Sequence, residues 1–321
     1  MEKGADMQEN AATLFKQVRL FSSIAAAAGV LLSLVFSELL NADSMGWQVV
    51  IAIIALAIGI PHGALDHLVT LPKAAPLKMA AFIFIYVAVA VVAVIGILQF
   101  NTIGFIIVLF MSAIHFGIGD AAFISEIDRR AEPATKLNRW FYIPAAGFTP
   151  VFIPLVNSAS TNALASVNPA LINWHQGFDS QILIAVTTFS LLAILVMIVN
   201  KRNREALDLT LLLLLANIAP PLIAFAIYFG CWHAMRHTAR LTLSLPRSIQ
   251  NLEQGLNKKA FTNAVIPGLP ALIGTFLVAA VLALSGQNFS DDFFWMALVV
   301  VWALTVPHMV VTAKLDRAAL T

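Results

Sequence analysis

The chain has 321 residues, 60% hydrophobic and 11% charged, with a formal net charge of +2 and a mean hydropathy of +0.87. Ordinary soluble domains carry about a quarter charged residues, so a soluble globule is excluded. So are a disordered chain, a disulfide scaffold (Cys231 is the sole cysteine), a collagen and a basic nucleic-acid binder.

What is left is an integral membrane protein. Runs such as 82–98 and 182–199 are apolar on nearly every side, where a transmembrane barrel would alternate, so the expected fold is all-α: a polytopic helical bundle in a single domain, 1–321. A polar N-terminal tail, 1–17, leads into a helix at 18–40, too long and too poor in small residues near its end for a cleaved signal peptide. Further helices are expected at 46–70, 77–99, 102–120, 139–157, 180–200, 205–219, 220–245, 264–286 and 291–313, since each holds enough apolar sequence to cross or nearly cross a hydrocarbon core of about 30 Å.

Charge orders these segments. The nineteen Lys and Arg residues fall in and just after the tail (Lys3, Lys16, Arg19), at Lys73 and Lys78, at 129–139, at 201–204, at 236–259, and at Lys314 and Arg317; the connections near 41–47, 99–102, 157–181 and 286–292 hold none. Positive residues mark cytoplasmic loops, and the pattern alternates only if the chain turns at Pro220-Pro221. The expectation is therefore about ten crossings, with both termini cytoplasmic. The weak member is 205–219, short and carrying Asp208. The polar stretch 246–259 is taken as a solvated loop, with an amphipathic surface helix as the alternative.

Seven histidines are present. His175, beside Trp174, falls in an external loop. The other six lie in membrane segments, where an ionisable residue is by default functional. Their four helices all run from outside to inside. Depth along them, at about 1.5 Å per residue, puts His62, His115, His233, His237 and His308 roughly 20 to 26 Å from the outer ends, which points to one convergent layer.

His233 and His237 are spaced i and i+4, so both imidazoles can reach one metal. In GIPHGALDH, residues 59–67, Pro61 should kink the helix where His62 enters the bundle. Asp66, four residues on, can accept from the far nitrogen of a ligating imidazole, that of His62 or of a neighbouring helix. His67, at i+5 from His62, is expected to be a separate polar contact. Asp120, at i+5 from His115, is either a helix-end residue near the cytoplasmic interface or a partner of some ligand. His308 after Pro307 is a fifth ligand or a group bonded to one, the second being preferred. No nucleophile-base arrangement or phosphate loop stands out, and a set of neutral imidazoles without thiolates suits iron, copper, zinc or nickel.

The segments GIPHGALDH (59–67), HFGIGD (115–120), WHAMRH (232–237) and Pro307-His308, in this order on membrane segments, resemble the Brp/Blh family of bacterial and archaeal carotene-cleaving enzymes, the β-carotene 15,15'-dioxygenases. The resemblance implies cleavage of the central double bond of β-carotene by O2 to two molecules of retinal, with non-haem iron(II), Fe(2+), in the plasma membrane, and a functional link to a retinal-binding microbial rhodopsin. It implies four histidine ligands, carried over as His62, His115, His233 and His237, and no catalytic side chain beyond them. Its rivals are a transporter or proton pathway, a carotenoid or retinoid carrier, and a di-iron desaturase or hydroxylase. The last typically has about eight or more histidines, and only six here lie in the membrane.

Overall fold

Helices are the regular elements of the computed structural model, which describes residues 2–36, 45–71, 75–131, 135–158, 160–284 and 289–321; no strand occurs among them. Of the expected positions, Asn41 to Ser44, Lys73 and Gly286 to Asn288 lie outside the described residues. In chain order the α-helices are α1 (Glu2–Val35), α2 (Met45–Gly63), α3 (Asp66–Thr70), α4 (Pro76–Gln99), α5 (Asn101–Ala131), α6 (Arg139–Val156), α7 (Ser160–Val167), α8 (Asp179–Val199), α9 (Asn203–Ile218), α10 (Pro221–Ala226), α11 (Ala234–Leu241), α12 (Pro246–Glu253), α13 (Asn257–Asn263), α14 (Leu269–Leu284) and α15 (Phe289–Leu320). A π-helical segment, Ile227–His233, joins α10 to α11. Over its described residues each expected membrane segment overlaps helix, residues 37–40 and 285–286 lying outside them; among the described residues seven stretches are long and apolar enough to cross a membrane: α1, α2 with α3, α4, α5, α8, α13 through α14, and α15. Seven such helices suggest a membrane protein. Its outer helices carry bare apolar side chains such as Phe84 (75% exposed) and Val92 (69%), which only a lipid solvent tolerates in such number.

Four expectations are corrected. The tail is not separate from the first helix: α1 starts at Glu2, because Ala11, Leu14, Phe15 and Val18 form a buried i, i+3, i+4, i+7 stripe among polar neighbours. Phe15 stacks on Phe123 at 5.1 Å, and Asn10 donates to the Leu252 carbonyl. The helix expected to stop at 120 runs on to Ala131 because residues 121–125 are buried. The helix expected over 46–70 is interrupted at Ala64–Leu65, which separates α2 from α3, while Pro61 lies inside α2. Finally, 246–259 is not a loop: α12 and α13 fold on each other, with Ser248 donating to the Ala260 carbonyl and Leu252 fully buried.

The interior is formed by the helices with the least apolar sequences. α6 contains Pro144, Pro150 and Pro154, yet Pro150 and Pro154 are buried; it packs against α5, α8 and α9. Gly117 and Gly147 face each other across the α5–α6 crossing. A Cβ on Gly117 would collide with the Ile143 carbonyl, and one on Gly147 with that of Ala113. That close approach fixes α5, and with it His115. α9 is short, as expected, and its Asp208 is fully buried because two arginines neutralise it: Arg19 of α1 at 2.9 Å and Arg236 of α11 at 3.3 Å.

Candidate active site

Five imidazoles from four helices meet in the interior. His62 is in the last turn of α2, His115 in α5, His233 at the end of the π segment, His237 in α11 and His308 in α15. All are buried. Ring centroids lie 5.0 Å apart for His62 and His237, 5.3 Å for His62 and His233, 5.2 Å for His115 and His233, 5.1 Å for His115 and His308, and 5.5 Å for both His62–His308 and His237–His308.

Backbone geometry explains the alignment of two of them. Phe225, Phe229, His233 and His237 stack in succession, with centroids 5.5, 6.1 and 6.1 Å apart and ring planes within 9°, 21° and 29° of parallel. In an ideal α-helix every fourth residue leads by about 40°, so such a row would drift off the face. The wider π turn makes every fourth residue lag instead, and the two drifts offset each other. The row therefore stays on one side.

The nitrogens are the chemical signal. Nε2 of His115, His233, His237 and His308, and Nδ1 of His237 as well, are buried with no hydrogen-bond partner. Each such atom costs about 1 to 3 kcal/mol if left bare, and buried groups of this kind in a folded protein call for a bound species. Among the described residues no group of three or more His, Cys, Asp or Glu side chains is arranged to hold a metal ion. In chemical type alone the cluster suits a metal: imidazoles with lone pairs to give and no thiolate to favour a softer ion.

His308 lies among the other four rings, 5.1 to 5.5 Å from three of them. Its Nδ1 meets both oxygens of Asp66, at 3.0 and 2.9 Å, leaving Nε2 toward the other rings. Of the two readings for Asp66, the structure gives the neighbouring helix. The carboxylate also accepts from Tyr86 Oη at 2.9 Å. Tyr86 was missed in the sequence, although the signal was there: one hydroxyl in the otherwise apolar α4. His67 stands apart, as its i+5 spacing implied, with Nδ1 against the Ala64 carbonyl at 3.0 Å. His175 is remote, with its Nδ1 3.8 Å from Asp179.

Asp120 is neither at a helix end nor bonded to one of the five histidines. It accepts from Tyr142 Oη at 2.7 Å, Trp232 Nε1 at 3.2 Å and Arg236 Nη1 at 2.7 Å. Arg236 lies between the two histidines of WHAMRH, with its guanidinium 3.7 Å from the centre of the Trp232 ring and a second carboxylate, Asp208, on its other nitrogen. The chain of charges continues through Arg19 to Glu205 and Arg202 to Asp128. This buried ladder joins α1, α5, α9 and α11 behind the histidines and sets the rotation of the helix that carries two of them. Sequence spacing alone gave no hint of it.

On the other side of the rings lies a cavity of about 450 Å³. His62, His115, His233 and His308 form its inner wall; Phe105, Leu109, Phe225, Phe229, Leu298 and Trp302 are among the apolar residues that carry it away from them. Its lining is mostly apolar, with the histidines as its main polar group.

A family model described as beta-carotene 15,15'-dioxygenase matches residues 53–316. A protein of that name from uncultured marine bacterium 66A03 is 29% identical over 268 residues, covering 79% of this chain and 88% of the relative. No solved structure matches.

Proposed function

We propose that this chain, which belongs to the beta-carotene 15,15'-dioxygenase family, cleaves the central 15,15' double bond of β-carotene with O2 to give two molecules of all-trans-retinal, at a non-haem iron(II) held by His62, His115, His233 and His237. His308 joins them as a fifth ligand. The family makes the chain an oxygenase-type oxidoreductase; the metal, the bond cleaved and the ligand set are our reading. One observation carries it: desolvated, unpartnered imidazole nitrogens converge beside a largely apolar cavity.

Bound iron(II) would supply the site at which O2 is activated beside the polyene. The protein's own residues do the remaining work. The apolar walls exclude water and hold a neutral hydrocarbon by burial rather than by hydrogen bonds. Because no acid or base is needed at the reacting carbons, the choice of bond is a matter of position, set by how far the cavity lets the polyene slide past the rings. Asp66 holds His308 Nδ1–H and places negative charge next to an otherwise neutral ligand set.

The chain sits in the plasma membrane with about ten crossings and both termini cytoplasmic, as its positive charges suggest. Its product suits a retinal-binding rhodopsin. The test is expression in a β-carotene-accumulating bacterial host: the yellow colour fades, retinal accumulates, and the purified protein carries close to one iron per chain. An unchanged pigment with no retinal overturns the reading.

A further inference from the structure

The cavity has a side opening. Of the residues that line it, only Ile83 and Val87 are also exposed on the outer surface, at 46% and 51%. They are one turn apart on α4, on the face that also carries Tyr86. The opposite edge is formed by Ala271 and Thr275 of α14, and Leu304 and Thr305 of α15 lie between. α4 and α14 each pack against α15, and both are largely exposed. With α4 and α14 set in a bilayer, this exposed apolar face would meet hydrocarbon rather than water. Its rim is apolar except for two threonines and the Tyr86 hydroxyl, which is already engaged with Asp66.

We infer that the substrate is taken directly from the bilayer, through this portal between α4 and α14, and passes Tyr86 on its way to the histidines. The inference rests on the proposed reaction for the identity of the ligand, a neutral rigid polyene, and adds the route. A molecule of that class is dissolved in the membrane already, so a lateral opening spares it a passage through water. A charged ligand would find no counter-charge at the rim, and a polar one only two threonine hydroxyls and the engaged Tyr86.

The test places bulk at the portal. In purified protein, Ile83→Trp combined with Ala271→Trp is expected to raise KM for β-carotene at least tenfold, with kcat at saturation and iron content unchanged. The controls are Ile85→Trp and Ile273→Trp, which add the same bulk on α4 and α14 at exposed positions that do not line the cavity; they keep the wild-type KM. A second readout needs no turnover. The association rate of β-carotene with anaerobic protein, followed by its absorbance, falls at least tenfold in the portal variant and not in the controls. An unchanged KM and association rate in the portal variant overturns the route, as does an equal effect in the controls. A wild-type protein that binds carotene through the portal but forms no retinal leaves the route standing and overturns the reaction instead.

Discussion

His308 Nδ1 lies within 3.0 Å of both carboxylate oxygens of Asp66, two residues brought together from α15 and α3 across most of the chain. A carboxylate on the far nitrogen fixes which nitrogen of an imidazole is free and where it points. Replacing Asp66 by Asn keeps the size and removes the charge. The expected result is a 10- to 100-fold loss in iron affinity or kcat/KM, read by metal titration and retinal formation, with partial recovery in Asp66→Glu. Tyr86→Phe, which removes one donor to the same carboxylate, has a smaller effect in the same direction.

The five clustered rings predict the outcome of a histidine scan. His62→Ala, His115→Ala, His233→Ala and His237→Ala abolish retinal formation, and His308→Ala reduces both iron content and rate. His175→Ala and His67→Ala retain bound iron, since neither ring is in the cluster. Full iron content in His308→Ala would falsify its place among the ligands.

Removing the metal gives a third outcome. Treatment with an iron(II) chelator stops retinal formation, and iron(II) restores it where magnesium does not, because imidazole sites disfavour hard ions that prefer oxygen. The chelated protein also unfolds at a lower temperature, since an ion bound only by the folded state stabilises that state. Equal midpoints with and without chelator argue against an ion among these rings.

Arg236 predicts a stability effect rather than a chemical one. Arg236→Leu leaves Asp120 and Asp208 each short of a buried counter-charge, and breaking a buried pair this way costs about 3 to 5 kcal/mol. Thermal unfolding in detergent should show a large drop in midpoint. Adding Asp120→Asn to Arg236→Leu should recover part of it, because the uncompensated charge is removed.

Much of the fold was legible because hydropathy is a local property. The length of an apolar run decides whether it can cross lipid, so α4, α8 and α14 could be read directly. The i, i+4 spacing of His233 and His237 and the shared depth of five histidines were also visible, since helical rise converts sequence separation into distance. Where the reading failed, the cause was a contact from elsewhere in the chain. The polar tail hid a four-residue stripe whose partners are Phe123 and α12; α5 passed its expected end because α1 covers it; and 246–259 folded because α12 and α13 bury each other.

The sequence by itself determined that this is a membrane-embedded helical protein with a layer of histidines, because composition, helical period and charge asymmetry act along the chain. Only the tertiary structure decided that His308 stands with the other four, that Asp66 serves it, that Asp120 belongs to Arg236, and that a largely apolar cavity lies against the rings. Those are pairings between side chains far apart in sequence. Their energies depend on desolvation and distance in the packed interior, and neither quantity exists until the helices have come together.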